Sequence, residues 1–356
     1  MNFSAGPAAL PLPVLERARD ELLDFAGTGM SVMEQSHRAA PYKAVHDEAQ
    51  SLLRELLGVP DDYAVLLLQG GASALFAQIP LNFLSRGRRA DYVVTGGWGE
   101  KALEEARRVG DARDLAAMQG RYTRIPGPEA HDFAADAAYA HITSNNTLEG
   151  TQYQDFPDAF SLPLVADMSS DFLWRPFDLS RFAMVYAGAQ KNLGPSGVVI
   201  ALARNDFLSS ARVDIPRYLR FATHAEAGSL YNTPPTFAVY MVRNVLAWLR
   251  DLGGLAAMEA RNRAKAAALY AALDAHAGFF RCPVEPAHRS TMNVVWRTAS
   301  DDLDARFVRE AEAAGMVGLK GHRSTGGIRA SIYNAVEPES VDALAQFCRE
   351  FARTRG

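Results

Sequence analysis

Lys191 occupies a setting suited to carbonyl chemistry. It follows the apolar run Phe182–Tyr186, which reads as a buried strand, and then Ala187, Gly188 and Ala189, small residues that let a backbone or a planar ligand come close. Burying an ammonium lowers its pKa toward the range where the neutral amine attacks a carbonyl and forms a Schiff base. A second strand, Leu162 to Ala166, ends in Asp167, 24 residues before the lysine. A carboxylate at that strand end is where pyridoxal phosphate needs a partner to keep its pyridinium nitrogen protonated. Taken singly, the lysine reads as a surface turn residue and the aspartate as a cap. At successive strand ends, each strengthens the case for the other.

Further candidates lie at other turns. Strand Tyr63–Leu68, the turn Gln69-Gly70-Gly71-Ala72-Ser73 and a helix over Ala74–Phe83 form an anion site, because unpaired N–H groups and the helix dipole converge there. No Gly-Lys-Ser/Thr follows, so this is not a nucleotide-binding P-loop. Trp98, in Thr95-Gly-Gly-Trp-Gly, offers a ring to stack on a flat cofactor, with a core tryptophan as the alternative. Thr147, in the turn Ser144–Gly150, offers a hydroxyl to the cofactor's phenolic oxygen or phosphate. Near the C-terminus, Lys320, His322, Arg323 and Arg329 cluster among glycines, an anion-binding arrangement if they face a cleft.

The elements that must position these residues alternate. Strands at Asp91–Thr95, Tyr139–Thr143, Leu162–Ala166 and a run from Gly197 to Ala203 interleave with helices, which predicts an α/β fold with a mainly parallel sheet and a ligand at the strands' C-terminal ends. Helices are expected at Val14–Phe25, Pro41–Leu57, Glu100–Arg108 and Ala238–Arg250, with another after Gly253-Gly254. Strands Met292–Arg297 and Ile328–Ile332, with helices Leu303–Ala314 and Pro338–Phe351, predict a smaller C-terminal α/β unit. Residues 1–15, rich in Pro and Gly, predict an extended arm; 16–255 form the large domain and 256–356 the small one.

A chain of 356 residues is long for one core, and its 48% hydrophobic content supports full folding. A net charge of −4 argues against nucleic acid as the main partner. Two cysteines, Cys282 and Cys348, argue against a disulfide framework or a cysteine-rich metal site and suit a reducing, cytoplasmic setting. No apolar run nears the roughly 20 residues of a membrane span.

Several motifs together carry a family resemblance. Asn2-Phe-Ser-Ala-Gly-Pro-Ala8, Ser36-His-Arg38, Ala166-Asp-Met-Ser-Ser170, Ala187-Gly-Ala-Gln-Lys-Asn-Leu-Gly-Pro195, Tyr231-Asn-Thr-Pro-Pro-Thr236, Lys320-Gly-His-Arg323 and Arg329-Ala-Ser-Ile-Tyr-Asn334 resemble the phosphoserine-directed branch of the class V aminotransferases, across essentially the whole chain. The resemblance implies a pyridoxal-phosphate enzyme of fold type I, with a seven-stranded sheet in the large domain, acting as a homodimer with shared active sites. It implies that Lys191 holds the cofactor as an aldimine and moves the proton, that Asp167 pairs with the pyridinium, and that Trp98 stacks. Gln190, Thr147, Ala72 and Ser73 would contact the cofactor, and Asn232 and Thr233 would reach its phosphate from the other subunit. Arg329 would take the substrate carboxylate; His37 and Arg38, with His322 and Arg323, would form the phosphate or side-chain carboxylate pocket.

The implied reaction is reversible: glutamate plus 3-phosphohydroxypyruvate gives 2-oxoglutarate plus 3-phosphoserine, in serine biosynthesis. The phosphorylated oxo acid of pyridoxine synthesis is the second substrate to consider. Two positions depart from some members: Ala72-Ser73 stands where they carry Gly-Arg, and Ala5 where they carry serine. Two rival readings have their own signatures. A cysteine desulfurase needs a nucleophilic cysteine on a mobile loop, and a non-catalytic phosphate-ligand binder would not need Lys191 and Asp167 together.

Overall fold

The computed structural model describes residues 1–118, 120, 122–127, 131–158 and 162–355; Gly356, the last residue of the expected small domain, lies outside them. The large unit opens with α1 (Leu12–Asp20), α2 (Ala40–Leu57), β1 (Tyr63–Gly70), α3 (Ala72–Phe83), β2 (Arg89–Val93), α4 (Gly97–Val109) and β3 (Asp111–Asp114). It continues through β4 (Tyr139–Thr143), β5 (Leu164–Asp167), β6 (Met184–Gly188), β7 (Gly197–Arg204), the short α5 (Asn205–Ser209) and α6 (Phe221–Glu226), then α7 (Thr236–Asp251). After α8 (Gly254–Asp274) come β8 (Asn293–Trp296), α9 (Asp301–Ala313), β9 (Ile328–Ser331) and α10 (Pro338–Arg355). Among the described residues no helix is long and apolar enough to cross a membrane.

The main sheet has seven strands in the order β1-β7-β6-β5-β4-β2-β3, with β7 antiparallel to both neighbours and the rest parallel. Strands β4, β5 and β6 are buried throughout, as expected of parallel strands covered on both faces. One face packs under α2 and α7 through Leu53, Val242 and Leu246; the other packs under α3 and α4 through Leu75, Ile79 and Leu103. Strand β3 has no apolar alternation that would reveal it in the sequence. It is a polar edge strand whose Arg113 forks onto the buried Asp91 carboxylate at 2.7 and 3.1 Å.

Helix α1 stops at Asp20, five residues short of the expected Phe25. The chain beyond it turns through Ala26, Gly27 and Gly29 at positive φ, and Asp24 accepts a 2.7 Å bond from the Gly29 N–H, so the backbone hydrogen bonds go to a turn rather than to a longer helix.

The N-terminal arm is part of the C-terminal core. The Phe3 N–H donates to the Val317 carbonyl at 2.9 Å, Ser331 donates to the Phe3 carbonyl at 3.1 Å, and the Phe3 ring is fully buried among Trp296, Phe307 and Ile328. Tyr333 Oη then donates to the Ala5 carbonyl at 2.8 Å, and the Ala8 N–H donates to the Gln190 carbonyl at 3.0 Å. The arm thereby runs from the small sheet to the lysine segment. Phe3→Ala should cost about 3–5 kcal/mol, as deletion of a fully buried ring does. Urea unfolding reads this as a lower midpoint, and an unchanged midpoint would show that the arm does not belong to the core.

Candidate active site

The site follows from the register of three strands. Thr143 pairs with Asp167 and Asp167 with Tyr186, so β4, β5 and β6 end side by side. Beyond β6 the chain turns at Ala189–Gly194, with the Leu193 and Gly194 N–H groups closing on the Ala189 carbonyl, and this turn places Lys191 over the strand ends. A cavity of about 210 Å³ opens there, and its wall includes Ala72, Ser73, Trp98, Thr147, Asp167, Gln190 and Lys191.

Lys191 is half-buried, and its Nζ donates to Thr147 Oγ1 at 2.8 Å. Burial pulls the amine down to about 8; the Asp167 carboxylate opposes that shift and the Arg329 guanidinium adds to it. Asp167, buried, accepts a 2.9 Å bond from the Ser169 N–H, and burial raises its pKa against the pull of the lysine. Ser169 Oγ in turn accepts from the Gly188 N–H at 3.1 Å. Ser169 was not singled out in the sequence, although it sits in the Asp-Met-Ser-Ser motif. A second buried carboxylate, Asp171, accepts from Ser144 Oγ and from Gln152 Nε2, and burial lifts it to about 6.

At the opposite wall, α3 begins at Ala72 after Gly71 with no side-chain cap, leaving first-turn N–H groups and the positive end of the dipole for an anion. Trp98 lines the cavity, with Lys101 Nζ 4.4 Å from its ring centroid. Trp98 Nε1 and Thr143 Oγ1, both on this wall, are buried without partners. An amine, a carboxylate, an aromatic face, orphaned polar atoms and an anion cradle around one cavity fit the planar, phosphorylated pyridine aldehyde expected from the sequence.

The remaining expected residues lie outside this cavity. Arg329 adjoins it: it is half-buried, with Nη1 3.4 Å from the Thr147 carbonyl and Nε unpartnered. Asn232 Nδ2 lies 3.3 Å from Gln69 Oε1, just before the glycine turn, and exposed Thr233 follows it. His322 and Arg323 line a separate cleft of about 510 Å³ with Lys320 and Arg297. His37 and exposed Arg38 sit on the stretch before α2, apart from either wall. Neither cysteine lines the lysine cavity: Cys282 is half-buried, with its thiol pushed up to about 11, and Cys348 is buried. The contact that Ala5 makes with Tyr333 is through its backbone carbonyl.

The lysine's electrostatics are testable in the cofactor-free protein. Above about 8 the amine is neutral, and since Asp167 favours the ammonium, Asp167→Asn should move the midpoint down. The pH dependence of Lys191 acylation, followed by mass spectrometry, reads this directly; an unmoved or raised midpoint would show that the two groups are not coupled.

Comparisons with known proteins agree with this geometry. A family model described as aminotransferase class-V matches residues 1–344. A phosphoserine aminotransferase of Niallia circulans is 53% identical over 356 residues, 100% of this chain and 98% of the relative. The structure of phosphoserine aminotransferase from Bacillus circulans subsp. alkalophilus superposes with a TM-score of 0.98 at 53% identity, covering 100% of this chain and 99% of that one. A PLP-bound phosphoserine aminotransferase from Trichomonas vaginalis gives 0.94 at 38% identity, over 98% and 99% of the two chains. Matched from arm to C-terminal unit, this chain belongs to the class V aminotransferases, in the branch of the phosphoserine aminotransferases.

Proposed function

We propose that the chain catalyses the reversible transamination of 3-phosphohydroxypyruvate by L-glutamate, giving 3-phospho-L-serine and 2-oxoglutarate, with pyridoxal phosphate as cofactor. The observation that carries this reading is one cavity holding a Lys191 amine with a pKa near 8 and the Asp167 carboxylate at the end of the neighbouring strand. Phosphoserine biosynthesis is the step toward serine that this reaction serves, and two unpaired cysteines suit the reducing cytoplasm.

When bound, the cofactor supplies an electron sink that makes the substrate's Cα–H acidic. The protein's part is to orient and to move protons. Lys191, neutral above about 8, is the base that takes the Cα proton and returns it, aimed by Thr147 Oγ1. Asp167, oriented by the Ser169 N–H, would pair with the cofactor's ring nitrogen and keep it protonated. Trp98 and Gln190, on the cavity wall, would hold the cofactor's ring, and the N–H groups at Ala72 and Ser73 would hold its phosphate. Arg329, beside Thr147, takes the substrate α-carboxylate through a bidentate fork.

A second copy of the chain completes the site. Exposed Leu12, Leu15, Leu22, Leu23, Met30 and Met33 lie in the stretch just before His37 and Arg38, apolar surface that a second copy would cover. In this arrangement His37, Arg38, His322 and Arg323 read the substrate phosphate or the glutamate side chain across the interface, and Asn232 and Thr233 add to the cofactor phosphate.

Lys191→Ala and Arg38→Ala should each be inactive or nearly so with phosphoserine. Mixed one to one under subunit exchange, they should regain about a quarter of wild-type activity, because half of the dimers carry one intact site of two. No regain in a mixture shown to exchange would overturn site sharing. Substrate choice separates the cations further. Arg329→Ala should impair phosphoserine, glutamate and alanine alike, whereas Arg323→Ala should penalise the first two relative to alanine by roughly 1.5–3 kcal/mol in kcat/KM. Equal losses across the three substrates in Arg323→Ala would remove it from the phosphate pocket.

A further inference from the structure

Glu149 has no assigned part in the reaction, yet it touches two elements that do. It lies two residues after Thr147, and its Oε1 accepts a 2.9 Å bond from the Gly97 N–H at the start of α4. Its Oε2 is buried with no partner. Helix α4 has no side-chain cap of its own, so this carboxylate caps it from a different turn, where the macrodipole favours negative charge. The fit is close. A Cβ on Gly96 would fall 2.7 Å from Glu149 Oε2 and 2.5 Å from Asn146 Oδ1, so any larger residue there would have to displace the Glu149 carboxylate and the Asn146 amide. The next residue after Gly97 is Trp98, on the cavity wall.

The same turn also rests on the small sheet. A Cβ on Gly150 would meet Val295 Cγ2 at 2.7 Å, and Val295 pairs with Arg329 across β8 and β9. Arg329 reaches the Thr147 carbonyl at 3.4 Å, and its Nε has no partner. The turn Thr147–Gly150 is thus held between the Gly97 backbone that precedes Trp98 and strand β9 that carries Arg329.

We propose that Glu149 is a positioning residue that seats the Trp98 turn and, through its negative charge beside Arg329, weakens that guanidinium's hold on a carboxylate, so that product leaves the site. This rests on Arg329 taking the substrate α-carboxylate. The charged and titratable groups around Glu149 are Glu100 on α4, Tyr122, whose hydroxyl donates to Glu100 at 2.7 Å, and Arg297, all three lining one cleft with Glu149, and Arg329 on β9, outside that cleft. Burial raises the Glu149 pKa, the Gly97 N–H and Arg329 lower it, and Glu100 raises it. Below that raised value Glu149 is neutral and Arg329 binds at full strength; above it the ionised carboxylate competes. Carboxylate affinity therefore falls as pH rises through the Glu149 titration. By linkage, a carboxylate arriving on Arg329 draws a proton onto Glu149.

The test is calorimetric titration of the cofactor-loaded protein with maleate, a dicarboxylate that cannot react, in wild type, Glu149→Gln and Glu149→Ala. Two buffers of different ionisation heat, from about pH 5.5 to about pH 8.5, give affinity and proton uptake together. At about pH 8 both variants should bind maleate about three- to tenfold more tightly than wild type, and the gap should close toward acid pH. Wild type should take up more protons than Glu149→Gln. Glu149→Ala, which also loses the Gly97 bond, should shift the tryptophan fluorescence while the isosteric Gln variant does not. Equal or weaker maleate binding in both variants at the alkaline end would overturn the proposal. Arg329→Ala with undiminished maleate affinity would instead overturn the assignment of Arg329 on which it stands.

Discussion

An amine and a carboxylate that share one cavity must be held there by something stiffer than either side chain, and here that is the ladder joining β4, β5 and β6. Because Thr143, Asp167 and Tyr186 sit in register, the chain leaves three adjacent strands at one level, and whatever follows each strand meets the others' continuations. A slip of one residue would turn Asp167 to the opposite face of the sheet. The partly desolvated lysine and the buried aspartate then depend on one another. Asp167 keeps the amine from falling further, and the lysine keeps Asp167 from rising further.

The C-terminal unit is clamped to that ladder by buried amides rather than by ion pairs. Asn145, just beyond β4, donates to Ser170 Oγ at 2.8 Å and to Asn293 Oδ1 at 2.7 Å, while Ser290 Oγ donates to Asn145 Oδ1 at 2.6 Å. Asn192, next to the lysine, accepts from the Asn334 N–H at 3.0 Å, and Asn262 donates to Asn334 Oδ1 at 2.8 Å. Within the C-terminal unit itself, Lys265, fully buried on α8, donates to the carbonyls of Ile332, Tyr333 and Val336 at 3.0, 2.6 and 3.0 Å and fixes the segment that carries Asn334. Networks of this kind are costly to leave half-satisfied, so they enforce a single placement of β9 against the lysine turn. Arg329 is carried on β9, and its closeness to Thr147 is a consequence of that placement.

The arm adds a third constraint. It is anchored in one core by Phe3 and ends on the lysine turn at Ala8, with Gly6 packed against the Lys191 side chain. The reactive segment is therefore braced from below by strands, from one side by β9 and its amides, and from above by the first residues of the chain.

Much of this was legible in the residues themselves. Apolar runs ending in Asp167 and in Ala187-Gly-Ala, a glycine turn before α3, and the alternation of strands and helices are local patterns, and local patterns report the period and ends of an element. Other features were not legible for physical reasons. Strand β3 is stabilised by a fork from Arg113 to a carboxylate 22 residues away, and no alternation marks it. Helix α1 gives way to a glycine turn whose hydrogen bonds depend on Asp24 folding back. Glu149 looked like any polar turn residue, because its partners, Gly97 and the Arg329 strand, are 52 and 180 residues distant in the chain. Residue type and spacing determined which chemistry the chain can perform. The distances, the burial that shifts each pKa, and the orphaned atoms awaiting a ligand were decided only when remote segments packed together, because desolvation and hydrogen bonding belong to neighbours in space rather than in sequence.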